Sequence, residues 1–508
     1  MGRKGWLGLS SLATIGFAAA IAVGGAGASK PAAAQTEGGG ACAALKAPGL
    51  FKDTSVDSAV TVAADAAKGT PAFCEVTAVI SPVANSRIGV VYRLPEGWNG
   101  KLLGLGGGGW AGNVRIESAL EGLKRGYATL QTDGGHSGAN VWDPSWAANP
   151  EAATDFAWRA IHLMTVVGKD VAAHYYGRAQ DKTYYEGCST GGRQGLMEVQ
   201  RFPDDYDAAI TGAPVYSLLV QTTAMVRNEL FSASGAGFTP DQLALVNKAV
   251  LASCDAKDGA ADGVINNPRA CGWDPVELQC KTGQSGASCL SPAQVAALRS
   301  AYRGVQTPDG RVAAWPIAKG GEVGWSRFMQ INGQSQDSTN GGGMGTLGKV
   351  ITNDPNFGVP RFDPDRDVAR VMSSAFAKQY NADDPAIGPF LKKGGKLLMW
   401  HGWSDPGPSP VGTITYYEKV RGSAIGADKS VRLFLAPGVY HCGGGPGPDK
   451  MDLLGAIDEW VKTDRAPETL IATKMQTKLS RPLCAYPRVA HYKGSGDLDA
   501  ASSFECRL

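Results

Sequence analysis

The sequence predicts an α/β protein: a mostly parallel sheet covered by helices and interrupted by one large insertion. Three observations carry this. Strand-like and helix-like runs alternate between residues 88 and 211, the alternation resumes near Lys396, and the chain between is of a different composition. Alternating βαβα order is the mark of a parallel sheet with helices on its faces.

Ile88 to Tyr92 and Lys101 to Leu105 are apolar runs of strand length. A helical pattern from about Glu117 to Arg125 leads into a strand, Tyr127 to Gln131. A long helical pattern follows from about Thr154 to Tyr175. Next come strand Thr183 to Glu186, helix Arg193 to Arg201 ended by Pro203, and strand Tyr206 to Thr211. Residues 217–390 are rich in Gly, Pro, Ser and Asn, hold four cysteines and have only scattered helical patterns. They read as one inserted domain, a lid with little core of its own. Beyond it, Lys396 to Trp400 and Val431 to Leu435 are apolar strands, and Met451 to Lys462 is a helix. The expected division is 1–34 targeting segment, 35–216 first part of the α/β domain, 217–390 lid, and 391–508 second part.

The first residues carry the layout of a secretory signal peptide. Arg3 and Lys4 precede an apolar stretch from Trp6 to about Val23, and small residues offer cleavage after Ala28 or Ala34. The stretch is short and broken by Gly, Ser and Thr, so a membrane anchor is the weaker reading. The expected location is secreted or periplasmic. Without Arg3, Lys4 and Lys30 the formal charge falls from +2 to −1. That balance gives no electrostatic reason to expect nucleic acid or a membrane surface as partner. All ten cysteines lie after the signal segment and none forms a CxxC pair, which favours disulfides over a zinc ribbon or a redox motif.

Gly187-Cys188-Ser189-Thr190-Gly191 fits G-x-S-x-G between an expected strand and an expected helix. That setting is the nucleophile elbow of the α/β-hydrolase fold, and it makes Ser189 the candidate nucleophile. A Ser hydroxyl needs a base. Of six histidines, His162 and His174 lie within the long helical pattern and His491 in a polar stretch near the C-terminus. His136 sits in a turn after one strand and His401 ends another. His441 follows the last apolar strand and precedes the last helix, the position expected of the base. Its neighbour Cys442 and the nucleophile's neighbour Cys188 would lie within disulfide reach if Ser189 and His441 meet. The acid must fall between Ser and His in the chain. Asp405, just beyond an apolar strand, is the candidate among many aspartates of that interval.

An oxyanion hole needs two backbone N–H donors. Thr190 should supply one and the Gly106 to Gly109 run the other, with Gly108 and Gly109 as candidates. The same run, from Gly104, formally fits the dinucleotide pattern G-x-G-x-x-G, with Asp133 as the acidic residue further on. That reading leaves the Ser, His and Cys pattern unexplained. In the insertion, Asp255, Asp258 and Asp262 cluster with Gly259 and Gly263 in a spacing that is not the EF-hand's. Hard oxygens in a curled loop suit Ca²⁺, although a solvated acidic loop reads the same way.

Gly187 to Arg193, Gly402-Trp-Ser-Asp405-Pro406 and Tyr440-His-Cys442-Gly-Gly-Gly445 together resemble the tannase and feruloyl esterase family, from about residue 40 to the end. The resemblance implies an α/β-hydrolase fold with a lid, the triad Ser189, Asp405 and His441, and the bridge Cys188–Cys442. It also implies the pairs Cys42–Cys74, Cys254–Cys271, Cys280–Cys289 and Cys484–Cys506. It makes the acidic loop a structural calcium site, with side chains of Asp255, Asp258 and Asp262 and backbone carbonyls of Ala260 and Val264 as ligands. The expected activity is hydrolysis of small-molecule esters of aromatic acids. Feruloyl or other hydroxycinnamoyl esters come first, galloyl esters second and terephthalate monoesters third. Trp325, Arg327 and Phe328 are lid residues that could hold the acid or simply pack. The alternative outside catalysis is an inactive, calcium-stabilised secreted binding protein.

Overall fold

In the computed structural model, residues 38–329, 331–332, 343–358, 361–423 and 426–508 are described. The signal segment expected at 1–34 lies outside them. Nine strands form one sheet: β1 (Thr54–Val62), β2 (Phe73–Ile80), β3 (Ile88–Pro95), β4 (Lys101–Leu105), β5 (Ala128–Thr132), β6 (Lys182–Cys188), β7 (Ala208–Gly212), β8 (Lys396–Gly402) and β9 (Val431–Ala436). Their order is β1-β2-β3-β5-β4-β6-β7-β8-β9. From β5 to β9 every neighbouring pair is parallel, while β1, β2 and β3 join the sheet antiparallel. The chain is thus an α/β protein, as expected.

The parallel strands are covered on both faces. β5, β7 and β8 are buried at every position, although β5 carries Thr129, Gln131 and Thr132; burial on both faces favours largely apolar runs in such strands. β1 and β2 are additions to that expectation. β1 is the sheet's edge and half exposed along its length, which dilutes the apolar alternation by which a strand is recognised.

Helices pack on the faces. α1 (Ala160–Tyr176) follows a π-turn at Asp155–Arg159, so the single long helix expected there is broken near its start. α2 (Thr190–Arg201) begins directly after Ser189, three residues earlier than expected. The insertion between β7 and β8 is more helical than the sequence reading allowed. It contains α3 (Leu218–Ser232), α4 (Pro240–Cys254), α5 (Pro292–Arg303) and shorter helices at Met344–Thr352, Pro364–Met372 and Ala375–Tyr380. α4 and α5 each start with a capping box and a proline in the first turn, signals present in the sequence.

The expectation of little core in the insertion is corrected. Phe231, Leu243, Val246, Val250, Leu298, Trp325 and their neighbours form a buried cluster made wholly of residues 231–331. Its apolar residues recur at helical spacing among Gly, Ala and Ser, so no continuous run announces them. Disulfides Cys254–Cys271 and Cys280–Cys289 fasten this cluster. Cys42–Cys74 and Cys484–Cys506 fasten the two ends of the described chain. No helix among the described residues is long and apolar enough to cross a membrane.

Candidate active site

Ser189 lies in the turn between β6 and α2 with φ 63° and ψ −123°, a backbone conformation that L-residues rarely adopt. Two bonds hold the strain: the Ser189 amide donates to Gly212 O at 2.9 Å, and Ser189 O accepts from the Val215 amide at 3.1 Å. The turn is tight enough that a Cβ on Gly187 would stand 2.6 Å from the Gly191 carbonyl. This explains the glycines of the motif.

His441 lies after β9, and its Nε2 is 2.8 Å from Ser189 Oγ. Its Nδ1 is 2.7 Å from Asp405 Oδ2. Asp405, in the loop after β8, is fully buried. Oδ1 accepts from the Gly407 amide at 2.8 Å. Burial opposes its ionisation, but the His441 and His401 rings outweigh that and hold the carboxyl down at about 2. The Cys188–Cys442 disulfide, with Cα atoms 6.0 Å apart, joins the residues beside Ser189 and His441. Two segments 252 positions apart are thus fixed together both covalently and by hydrogen bond.

His401 has a role that the sequence reading missed. It is fully buried, and its Nε2 faces two acceptors, Asp405 Oδ2 at 3.1 Å and Pro408 O at 3.2 Å. That nitrogen must carry the hydrogen. The Thr413 hydroxyl stands 2.8 Å from Nδ1. His401 therefore holds, through its Nε2–H, the same carboxylate oxygen, Oδ2, that faces His441. The four-residue spacing from Asp405 was visible in the sequence, but that the ring turns inward was not.

The glycine run after β4 packs on this turn. Gly106 donates to Glu186 O at 3.0 Å and Gly107 to Gln194 Oε1 at 3.0 Å, so both amides are spent on holding the loop. The Thr190 hydroxyl donates to Gly109 O at 2.9 Å. Gly108, Gly109 and Thr190 line a cavity of about 320 Å³ together with Ser189 and His441. Its walls are Trp110, Val141, Trp142, Val215, Val220, Gln221, Ala224, Phe328 and Pro408. Among the described residues, no Lys, Arg, Asp or Glu lines it.

Of the three insertion residues singled out, only Phe328 reaches this cavity; its ring meets His441 edge-on, with centroids 5.0 Å apart. Trp325 is buried in the insertion's own core, and the Arg327 guanidinium sits 5.2 Å from the centre of the Tyr440 ring. The other candidate histidines stay away from Ser189. His136 Nε2 is bonded to Trp110 O, His162 to Asp205 and His174 to Asp170 O. Asp133 gives no support to a dinucleotide site: its Oδ1 accepts from the Gly89 and Gly135 amides at the end of β5, and burial lifts its acid to about 6.

The acidic loop follows α4. Asp255 Oδ2 accepts from the Gly263 amide, Asp258 from those of Ala260 and Asn266, and Asp262 from that of Val264. Asp255 Oδ1 is buried with no hydrogen-bond partner. Burial raises the acids of Asp255 and Asp258, and repulsion from Asp262 raises both further. A hard cation would answer both features at Asp255 and Asp258. Asp262 already has a cation: the fully buried Arg481 guanidinium bonds its Oδ2. Among the described residues, the three aspartates do not form a group with one ligand atom each within 4.8 Å of the others; His162, Glu198 and Asp205 do.

Comparison with known proteins places the chain. The family model described as "Tannase and feruloyl esterase" matches residues 74–507. The chain is 32% identical to a mono(2-hydroxyethyl) terephthalate hydrolase of Piscinibacter sakaiensis, over 92% of this chain and 91% of that one. It is 31% identical to feruloyl esterase B of Aspergillus niger, over 85% and 86%. The crystal structure of feruloyl esterase B from Aspergillus oryzae superposes with a TM-score of 0.83 at 27% identity, covering 93% of this chain and all of that one. The molecule is a carboxylic ester hydrolase. More particularly, the chain belongs to the tannase and feruloyl esterase family.

Proposed function

We propose that the chain hydrolyses esters of aromatic carboxylic acids, hydroxycinnamoyl esters such as feruloyl esters first, through an acyl-enzyme on Ser189. One observation carries the reading: the hydrogen-bonded chain Ser189–His441–Asp405 opens into a cavity walled by Trp110, Trp142 and Phe328. His441 Nε2 takes the Ser189 proton as Oγ attacks the ester carbonyl, and Asp405 stabilises the imidazolium that forms. The Thr190 amide and that of Gly108 or Gly109 stabilise the oxyanion. Collapse expels the alcohol with a proton from His441, and water repeats the sequence on the acyl-enzyme.

The same walls support the order of substrates. A flat, neutral hydroxycinnamoyl group matches apolar and aromatic surface. A galloyl group would bring three hydroxyls to walls whose side-chain polarity is Gln221 and Thr190. A terephthalate monoester would bring a carboxylate to walls with no cation among the described residues.

The rest of the reading is structural. An α/β-hydrolase fold with residues 217–390 as a lid is supported by the strand order and by Phe328 reaching the cavity from the insertion. Export to a secreted or periplasmic location is supported by the pairing of all ten cysteines. A structural Ca²⁺ held by Asp255, Asp258, Asp262 and the carbonyls of Ala260 and Val264 is supported by the orphaned Asp255 oxygen.

The test is a panel of methyl ferulate, methyl gallate and mono(2-hydroxyethyl) terephthalate with wild type and Ser189→Ala. The ferulate should give the highest kcat/KM, and the variant should lose roughly 10⁴-fold or more in kcat. Equal turnover by both proteins would overturn the assignment of Ser189. A preference for the terephthalate would overturn the assignment of substrate.

A further inference from the structure

Around the C-terminal end of the helix that begins after Ser189, three side chains from three elements converge. His162 lies on α1, Glu198 near the end of α2, and Asp205 in the turn before β7. One ligand atom of each lies within 4.8 Å of the other two. His162 Nδ1 is 2.7 Å from Asp205 Oδ2. Glu198 is 1% exposed, and no donor reaches either of its carboxylate oxygens. Its carboxyl faces that of Asp205, a contact that becomes a hydrogen bond only with a proton between the two acids.

The cations nearby do not serve Glu198. Arg193 gives Nη1 and Nη2 to the carbonyls of Phe156, Ala157 and Tyr380, and its buried Nε–H has no partner, so it acts on Glu198 only through space. Lys169 Nζ donates to Asp204 O at 3.2 Å. A buried carboxylate without a donor, beside a second carboxylate and an imidazole, lacks a positive partner.

We propose that His162, Glu198 and Asp205 bind a divalent transition-metal ion of the zinc class. One imidazole nitrogen and two carboxylate oxygens suit zinc, whereas calcium and magnesium take oxygen donors. Two carboxylates balance the ion's charge, and three protein ligands leave a fourth position for water. The His162 side chain is 25% exposed and gives the ion a way in. On binding, any proton held by the two acids leaves to solvent, and the Nδ1 hydrogen that faces Asp205 moves to Nε2 when Nδ1 ligates, so the imidazole binds as a neutral base. Glu198 is nine residues along the helix from Ser189, ~13 Å at 1.5 Å per residue. The ion's role is therefore structural: it locks the helix that begins at the nucleophile to α1 and to the start of β7.

The experiment uses the full chain, stripped with EDTA and then saturated with calcium so that oxygen-only loops are filled. Zn²⁺ is titrated by calorimetry in two buffers of different ionisation enthalpy, and the unfolding temperature is read with and without zinc. One zinc per chain, proton release and a higher unfolding temperature are expected. Glu198→Gln keeps the shape and supplies an amide donor to Asp205, so it should fold; His162→Asn is an independent second variant. Each should weaken zinc binding at least 10-fold, while Ser189→Ala should leave it unchanged. No zinc uptake by wild type overturns the proposal, as does uptake that persists in both variants. Absence of uptake with a raised unfolding temperature in Glu198→Gln would mean that a shared proton alone fills the place, which also overturns it.

Discussion

The loops at the ends of β6, β8 and β9 and the insertion between β7 and β8 meet at one cavity, and they are built by different means. The loops carry Ser189, Asp405 and His441; Ser189 and Asp405 are bonded to neighbouring backbone, His441 is held through the side chains of Asp405 and Ser189, and a disulfide spans two of the loops. The insertion contributes wall: Val220, Gln221, Ala224 and Phe328. It rests on its own buried cluster, two short-range disulfides and an acidic loop. A parallel sheet presents its carboxyl ends as fixed points, so atoms that must meet within 3 Å are placed there. An insertion needs to be held only well enough to shape a wall. Chemistry should therefore fail when the loops are altered, and selectivity or stability when the insertion is.

The largest effect is expected from opening the loops. Replacing Cys188 and Cys442 together by Ser removes a bridge across a very long stretch of chain and should cost about 3–5 kcal/mol. The measurement is denaturant unfolding alongside kcat, which should fall with stability because the His441 loop is released. Retained stability and full kcat would show that hydrogen bonds alone hold the site.

Next comes His401→Phe, which removes a donor from a buried carboxylate. It should cost about 1–3 kcal/mol. It should also lower kcat roughly 10–100-fold and raise the pH at which the acid limb of kcat/KM begins. Asp405 sits at about 2, so its ionised form stabilises the fold above the ordinary carboxylate range, and that contribution is lost as pH falls from there towards 2. Losing the His401 donor should move that loss to higher pH. A pH–rate profile identical to wild type would remove His401 from the account.

Phe328→Ala tests the other region. It should raise KM for methyl ferulate roughly 10-fold while leaving kcat for a small acetyl ester nearly unchanged. Equal losses on both substrates would mean that Phe328 positions His441 rather than the acyl group.

The smallest effect is expected from the proposed calcium ion. Adding Ca²⁺ alone back to EDTA-stripped protein should raise the unfolding temperature by roughly 2–6 °C at neutral pH, with little change in kcat for the acetyl ester. The metal-free loss should shrink as pH is lowered. The acids of Asp255 and Asp258 are raised in the folded state, so the metal-free fold holds more protons than the unfolded chain and gains stability as pH falls. A loss that does not depend on pH would place the ion elsewhere.

The sequence by itself determined the α/β class and the strands β3 to β9, and it singled out Ser189, Asp405 and His441, which the fold brings together, because each signal is local. Most buried parallel strands are largely apolar runs, a G-x-S-x-G turn needs glycines on either side of its serine, and His441 and Asp405 each follow an apolar strand. Only the tertiary structure decided the remainder. The edge strand β1, the insertion's core and the inward turn of His401 depend on what each residue faces, and the chain pattern does not record that. The same holds for Arg481, 219 positions from the aspartate it bonds, and for the convergence of His162, Glu198 and Asp205. Burial and charge pairing are properties of neighbours in space, and these neighbours are brought together by the sheet's order rather than by the chain's.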